Sequence, residues 1–314
     1  MDAASVIDQA LDLFVARYIF PEKAAEAADL IRKRRAAGAY DGLDEAALAE
    51  RLTAELAEVC ADKHLRVRIR EEELRSALTE DQLLAAYRES LRQNNYGIAR
   101  VERLDGNIGY LDLRQIADAA VGGRAIAAAM ELVAHTEALI IDLRQNRGGA
   151  PNGVAFWHSY FFPDGETLLN TIYEGESGET RQFWTQAWVP GDRYLNRPIS
   201  VLISETTFSA GEEFCYNLKV LGRATLIGES TRGGAHPTQV HPLTPTLEIT
   251  IPGARSINPV TGTNWEGTGV EPDVAVPAGE AMAVAYRRAL QQVLTTAPAA
   301  SLEAEVKEAL ASLD

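Results

Sequence analysis

The sequence predicts an α/β protein with a mostly parallel sheet, preceded by a small N-terminal helical domain. Two patterns predict this fold class. As far as about residue 60, the chain is rich in Ala, Leu, Glu and Arg, and its apolar residues recur at the spacing of one helix face. From about residue 107 onward, apolar strands alternate with helical stretches, which is typical of successive βα units in a parallel sheet.

Three helices are expected in the N-terminal region. The first has one apolar stripe and ends before Pro21; the stripe consists of Val6, Leu11, Phe14, Val15 and Tyr18. The second helix covers roughly 22–37 and the third 44–59, with loop signals at Gly38 and Gly42 between them. One further helix is expected at about 80–92, inside a polar connector.

The remaining residues supply the α/β pattern. The predicted strands cover 108–113, 138–143, 198–203 and 224–228; the predicted helices cover 121–134, a stretch from about 152, 209–221 and a tail from about 279; β-hairpins are expected in 237–262. The chain is therefore expected to divide into a helical region at 1–70, a connector at 71–105 and an α/β core at 106–314.

Composition excludes several classes of partner and location. The 314 residues carry 30 Lys and Arg against 45 Asp and Glu, a net charge of −15, which argues against nucleic acid or an anionic membrane as a partner. A cytoplasmic protein is expected, because the N-terminus lacks the pattern of a signal peptide and no apolar run is long enough to span a bilayer. Cys60 and Cys215 lie in apolar surroundings and are expected to be free, buried thiols.

Ser209 is the first candidate for chemistry. It follows a predicted apolar strand and opens a predicted helix, where outward-pointing N–H groups and the helix dipole favour negative charge. Both effects stabilise a serine nucleophile and the oxyanion that its attack creates. A structural role is equally open at this point, since Ser is a favoured N-cap and Glu212, three residues later, completes a capping box.

Two loops supply further candidates. Gly148 and Gly149 follow a buried strand, and adjacent glycines let the backbone approach a ligand closely and donate N–H groups to an oxyanion. An ordinary turn is the alternative for this pair. Glu266 lies in a later loop rich in Gly, Asn and Pro, where its carboxylate can orient an imidazole or remain a solvated charge.

The chain contains five histidines that could act as a base: His64, His135, His158, His236 and His241. Taken one at a time, each is better explained by packing or capping. Since no pair has the spacing of zinc ligands, such as His-Glu-x-x-His, neither a metal nor another cofactor is expected.

Taken together, these segments resemble the C-terminal processing (tail-specific) serine protease family, in the branch of the interphotoreceptor retinoid-binding protein repeats and related bacterial peptidases. The matching segments, in order, are Gly109-Tyr110-Leu111, Asp142-Leu143-Arg144 with Asn146 and Gly148-Gly149, Phe208-Ser209-Ala210-Gly211-Glu212, the run from Gly228 to His236, and the run from Asn264 to Asp273. The resemblance implies a crotonase/ClpP-like core with Ser209 as nucleophile. It also implies an oxyanion hole formed by the N–H groups of Ala210 and of Gly148 or Gly149.

The general base departs from the commonest pattern of that family. Many members pair the serine with a lysine in the segment that follows it, and Gly234 stands at that place here, with none of the five lysines nearby. The tricorn protease, a relative, uses instead an early histidine and a late glutamate, and His64 and Glu266 occupy the matching places. The resemblance therefore implies a triad of Ser209, His64 and Glu266. Lys63 stands where the tricorn pattern has a serine that orients the histidine.

The expected substrate is a peptide or an unfolded protein, and a homo-oligomer is possible. The PDZ domain that processing proteases usually carry has no counterpart in the connector, so substrate access is expected to depend on the N-terminal helices, on oligomerisation or on the 165–197 segment with its tryptophans. Weaker candidates for substrate contact are Arg147, Arg232, His236 and Trp265. The rival hypothesis is a non-catalytic module that binds apolar ligands such as retinoids, with a pocket formed by Phe156, Trp157, Tyr160, Phe161 and Phe162.

Overall fold

A computed structural model describes residues 2–70 and 79–313. Within them the helices are α1 (Ala3–Arg17), α2 (Pro21–Ala36), α3 (Glu45–Cys60), α4 (Glu80–Gln93), α5 (Ala119–Val133), α6 (Pro151–His158), α7 (Ala210–Val220), α8 (Ala281–Thr295) and α9 (Ala300–Ala311). The strands are β1 (Arg66–Ile69), β2 (Ile98–Leu104), β3 (Ile108–Leu113), β4 (Ala138–Asp142), β5 (Leu168–Glu174), β6 (Thr180–Trp184), β7 (Ile199–Ile203), β8 (Thr225–Gly228), β9 (Thr238–Pro242), β10 (Leu247–Pro252), β11 (Ala254–Ile257) and β12 (Val274–Ala275). These elements belong to two compact units, which are described separately.

The first unit comprises Met1–Ala85, Thr171–Arg181 and Gly234–Ile257. Its N-terminal helices begin where the sequence provides caps: Asp44 accepts the N–H of Ala47 at the start of α3, and Pro21 opens α2. The apolar faces of α1, α2 and α3 form a core with residues of β10. A three-stranded antiparallel sheet in the order β1-β10-β9 completes that core. The three predicted N-terminal helices are confirmed.

The second unit comprises Ala86–Asn170, Gln182–Gly233 and Asn258–Asp314. Its sheet has the strand order β12-β8-β7-β4-β3-β2, with every pair parallel except β2 with β3. All residues of β4 and β7 are buried, as expected for strands covered on both faces. The predicted fold class, a mostly parallel sheet after an N-terminal helical region, is confirmed.

Several elements differ from the prediction. The strand β2 lies inside the expected connector, and β5 and β6 lie in a segment for which no strands were predicted. The aromatic helix α6 ends at His158, so the aromatic residues after it lie outside the helix. The residues at 71–78 of the expected connector lie outside the described part of the chain. The boundaries predicted for the three regions stay a prediction.

Other predictions concern cysteines and membranes. Cys60 and Cys215 are free and buried, as expected. Across residues 2–70 and 79–313, no helix combines the length and the apolar character needed to cross a bilayer.

The parallel sheet positions the candidate site. The neighbouring strands β4 and β7 run in parallel, so their carboxyl ends meet at the same edge. The loop with Gly148 and Gly149 follows β4, and the turn with Ser209 follows β7. Ligands of open α/β sheets bind at this edge, outside the carboxyl ends of the strands. Both predicted loops therefore lie where chemistry is expected.

Candidate active site

Ser209 has an unusual backbone conformation at the start of α7. Its φ of 55° and ψ of −122° lie outside the extended region that is usual for an N-cap residue. A non-glycine residue with positive φ is uncommon, and such strain is concentrated at functional sites. The same sharp strand-to-helix turn presents the nucleophilic serine in α/β-hydrolases. The conformation favours a functional role for Ser209 over a purely capping one.

The carboxylate of Glu212 holds this turn in place. One oxygen, Oε2, accepts the Ser209 N–H at 2.8 Å, which is half of the expected capping box. The other, Oε1, accepts the Thr231 hydroxyl and the Gly233 N–H, each at 2.5 Å. Glu212 is fully buried, so these hydrogen bonds also satisfy a group that would be costly to bury alone. The strained Ser209 is thereby fastened to the segment at 231–233.

Gly148 lies directly against Ser209, and this close approach requires a glycine because a side chain would not fit between the two residues. A Cβ built on Gly148, where φ is +102°, would lie 2.7 Å from the Ser209 Cβ and 3.2 Å from the Ala210 nitrogen. The buried side chain of Asn146 shapes this loop, since its Oδ1 accepts the Gly148 N–H at 2.8 Å and its Nδ2 donates to the Leu113 carbonyl at 2.9 Å. The second unit thus brings the glycine loop and the serine turn together.

The hydrogen bond to Asn146 also shows which of Gly148 and Gly149 has an N–H group available for a ligand. The N–H of Gly148 is already bound to Asn146, whereas no acceptor among residues 2–70 and 79–313 is paired with the N–H groups of Gly149 and Ala210. Gly149 is also exposed, unlike Gly148. Two backbone donors beside a nucleophile are the arrangement that stabilises a tetrahedral oxyanion. The hydrogen bonding therefore favours Gly149 and Ala210 over Gly148 as candidate donors, and Gly148 makes room for the serine.

Gly148→Ala is expected to reduce any Ser209-dependent hydrolysis by about 10²-fold or more, because the added methyl group displaces Ser209 and the Ala210 N–H. The matched control is Gly222→Ala, a glycine with φ +64° at the other end of α7 and with open space at its Cβ position. That control reproduces the cost of a left-handed alanine without the clash. Steady-state rates for both variants, with thermal unfolding as a check on folding, test the expectation, and equal rates would contradict it.

Glu266 lies in a loop that is fastened to the same segment as Ser209. Its own N–H donates to Asn264 Oδ1 at 2.9 Å, and the next residue, Gly267, donates to the Gly233 carbonyl at 3.3 Å. Because Gly233 is bound to Glu212, one short chain of hydrogen bonds links the backbones of Ser209 and Glu266. Glu266 is half-buried. This arrangement is compatible with the role predicted for it.

The weaker candidates for substrate contact have different surroundings. Trp265 is 2% exposed and packs against the ring of Tyr216 at 5.3 Å, so it anchors the Glu266 loop. The guanidinium of Arg232 lies 5.1 Å from the ring centre of Phe208, next to Ser209. Arg147 is exposed in the glycine loop. The two arginines remain candidates for substrate contact, whereas burial favours a structural role for Trp265.

His64 belongs to the first unit, where Asp62 fixes its backbone. Asp62 is 2% exposed, and its Oδ1 accepts the His64 N–H at 3.0 Å. Its Oδ2 accepts hydrogen bonds from the Tyr18 hydroxyl at 3.3 Å and from His236 Nδ1 at 2.7 Å. Burial, and then the nearby charge of Asp62, raise the pKa of Tyr18 far above its ordinary value. The Thr250 hydroxyl donates to the His64 carbonyl, so both sides of the His64 backbone are held.

His236, a weak candidate for substrate contact, is 5% exposed and meets the ring of Phe20 edge-on at 5.3 Å. Its pairing with Asp62 favours a positioning role. The sequence offered no signal for this pair, because the two residues are 174 positions apart.

The aromatic cluster of the rival hypothesis is largely core. Trp157, Tyr160 and Phe161 are each 1% exposed. His158 is fully buried between the carbonyls of Val154 and Phe214, and burial lowers its pKa to about 4. Trp157, Tyr160 and Phe161 pack inside the second unit, and their burial favours a structural role over the lining of a ligand pocket.

Glu213 follows Glu212, the residue that accepts the Ser209 N–H, and the sequence alone gave no signal for it. It is 3% exposed, and its Oε1 has no hydrogen-bond partner in the described part of the chain. Burial raises the pKa of this carboxyl to about 8, and a hydrogen bond with Asn170 opposes the increase. The folded state therefore retains a proton that the unfolded chain loses above the ordinary pKa of 4.5.

This proton predicts a pH-dependent stability. Between pH 4.5 and about 8 the folded state binds more protons at Glu213, so its contribution to stability falls as pH rises. Glu213→Gln removes that loss, and we expect it to stabilise the protein relative to wild type by on the order of 3 kcal/mol at pH 8 and by much less at pH 5. Thermal unfolding at both pH values measures the change, with the exposed Glu205→Gln as control. A difference between Glu213→Gln and wild type that is the same at both pH values would contradict the expectation.

Comparisons with known proteins identify relatives. A model of peptidase family S41 matches residues 107–276, and a model of the N-terminal domain of S41 peptidases in eukaryotic IRBP matches residues 2–103.

A candidate peptidase from Parabacteroides merdae has a similar structure, with a TM-score of 0.60, 20% identity and coverage of 88% of this chain and 90% of the other. A lipoprotein from Streptococcus agalactiae gives a TM-score of 0.58 at 15% identity, with coverage of 88% and 92%. The photosystem II D1 C-terminal processing protease gives 0.51 at 16% identity, with coverage of 88% and 94%. At these identities the structural matches show a shared fold, and the resemblance noted from the motifs is confirmed.

Proposed function

The chain belongs to peptidase family S41, and from this membership and the site geometry we propose that it is a serine peptidase acylated on Ser209. The observation that carries the proposal is the strained backbone of Ser209, held at the carboxyl edge of the sheet by Glu212. Strain of this kind persists only where surrounding structure over-determines it. Its use here is to present the hydroxyl beside two backbone N–H donors.

In the proposed reaction, His64 accepts the proton of the Ser209 hydroxyl as Oγ attacks the carbonyl carbon of a peptide bond. The N–H groups of Gly149 and Ala210 stabilise the oxyanion that forms. Collapse of the tetrahedral intermediate breaks the C–N bond, and His64 returns its proton to the departing amine. Water, activated by His64, then attacks the acyl-enzyme and releases Ser209 in its starting form.

Two carboxylates support His64 in this proposal. Asp62 fixes the backbone at His64 through the hydrogen bond to its N–H. Glu266 is assigned the third place of the triad, where a carboxylate orients the imidazole and stabilises the imidazolium that forms during attack. Asp62, together with His236, takes over part of the positioning that a serine before the histidine provides in the tricorn pattern.

The substrate class follows from the family. Peptides or unfolded proteins are the proposed substrates, and the net charge of −15 is consistent with the exclusion of nucleic acid as a partner.

Labelling with a fluorophosphonate tests the proposal. This reagent phosphonylates an activated serine, so wild type is expected to be labelled and Ser209→Ala is expected to remain unlabelled. Ser177→Ala, in an exposed loop of the first unit, is the control and is expected to label like wild type. Labelling of Ser209→Ala at the wild-type rate, or failure of wild type to label in a preparation that cleaves peptides, would overturn the proposal.

A further inference from the structure

A groove of about 360 Å³ opens on the second unit near the starts of α5 and α6. It is lined by Asp118, Ala119, Ala120, Asn152, Ala155, Phe156, Gln182, Phe183, Trp184, Gln186 and Trp188. One wall is built around Asp118, the N-cap of α5, which accepts the Ala120 N–H at 2.8 Å and the Asn152 side-chain amide at 3.1 Å.

Two tryptophans of the groove face solvent. Trp188 is 76% exposed and Trp184 is 40% exposed. An exposed indole forgoes the stabilisation of burial, and apolar surface that is exposed together, as that of Phe156, Trp184 and Trp188 is around this groove, marks sites of interaction. Trp184 also donates through Nε1 to Gln182 Oε1 at 3.3 Å, so a polar side chain holds its ring. The groove therefore offers aromatic surface together with amide groups.

Along the chain, the groove adjoins the glycine loop that contains Gly148 and Gly149. The backbone around Ile116 pairs with that loop, because the Ile116 N–H donates to the Gly148 carbonyl and the Ile116 carbonyl accepts the Ala150 N–H, both at 2.9 Å. Asp118 lies two residues beyond Ile116, and Asn152 lies three residues beyond Gly149. The three residues from Gly149 to Asn152 span at most about 10 Å. A bound substrate in extended conformation covers that distance with about three residues.

The chemistry of the lining selects one kind of occupant. The aromatic rings of Phe156, Trp184 and Trp188 favour an apolar side chain, and the amides can bond to a peptide backbone. The ionisable group in the lining is the Asp118 carboxyl, which disfavours an acidic side chain. The volume accommodates one large side chain with part of its backbone.

We propose that this groove is a specificity subsite that binds an aromatic or leucine-like side chain of the peptide substrate, two or three residues from the bond that is cleaved. The inference rests on the proposed serine peptidase function. It gives the tryptophans of the 165–197 segment the role of selecting substrates.

Peptides that differ at one position test the subsite. In each peptide a single Phe is placed at one position on either side of the cleaved bond and is compared with Ser at that position. Wild type is expected to favour Phe by about tenfold or more in kcat/KM at one position two or three residues from the bond. Trp188→Ala and Trp184→Ala are expected to reduce this preference toward equality. Leu132→Ala, an apolar residue of α5 that is 71% exposed and outside the groove, is expected to retain it.

Fluorophosphonate labelling of the same variants separates the two proposals. The reagent reports on Ser209 itself, so wild type and Leu132→Ala, whose changed residue lies outside the groove, are expected to label at the same rate. If wild type is not labelled at Ser209, the proposed function fails. If Ser209 is labelled and the tryptophan variants keep the full preference for Phe, the subsite proposal fails. Because Trp188 is 76% exposed, its replacement leaves folding intact and keeps the test decisive.

Discussion

Ser209→Ala is expected to lower the rate of peptide hydrolysis by roughly 10⁴-fold or more, because the variant lacks the oxygen that attacks the carbonyl carbon. The strained turn and the hydrogen bond from its N–H to Glu212 remain available to alanine. The variant is therefore expected to unfold at nearly the same temperature as wild type. Steady-state hydrolysis of a fluorogenic peptide and a thermal melt measure the two quantities.

The same variant discriminates between the two roles that the sequence left open. If the Ser209 hydroxyl served only as a helix cap, its removal would cost about 1 kcal/mol of stability and would leave hydrolysis unchanged. Ser177→Ala, on an exposed loop, controls for the loss of a serine hydroxyl as such. A hydrolysis rate that survives in Ser209→Ala would place the nucleophile elsewhere.

His64→Ala is expected to have an effect of similar size, again roughly 10⁴-fold or more, since the serine then lacks the base that takes its proton. Nucleophile and base act as one unit, so the double variant Ser209→Ala, His64→Ala is expected to be no slower than either single variant. The exposed His135→Ala is the control and is expected to retain the wild-type rate. Hydrolysis rates of the four proteins measured against wild type complete the comparison.

A comparison with His236 can contradict the assignment of His64 as the general base. It is a buried imidazole that is already paired with Asp62, and its replacement is expected to reduce the rate only through the position of its neighbours. If His64→Ala keeps the wild-type rate while His236→Ala loses it by 10⁴-fold, the roles of the two histidines must be exchanged.

The sequence predicted the helices and strands whose buried residues form a clear apolar pattern along the chain. The strands β4 and β7 are buried at every residue and are mostly apolar in sequence, with Asp142 at the end of β4 and Ser200 inside β7 as the polar residues. The strand β2 escaped prediction because it is an edge strand in which two charged residues, Arg100 and Arg103, are exposed. The strand β12 is two residues long, too short for any period. Pairing of β1 with β10, which joins Arg66 to Thr250, depends on contacts distant in sequence.

The candidate site was predictable to a similar extent. Ser209 and the glycine loop could be proposed from the sequence because each follows a buried strand and has a recognisable local composition. The second role of Glu212, as the anchor for Thr231 and Gly233, could not be found because the bonds cross about twenty positions of the chain. The raised pKa of Glu213 arises from burial by surrounding elements, which a helical pattern alone does not specify.

The most direct test of the central claim is the mass of the enzyme quenched during turnover of an activated ester or peptide substrate. An acyl-enzyme on Ser209 predicts a species heavier than the free protein by the acyl group, with the added mass on the proteolytic fragment that contains Ser209. Ser209→Ala should show no such species under the same conditions. Turnover without any acylated species, or with the acyl group on another residue, would contradict the account.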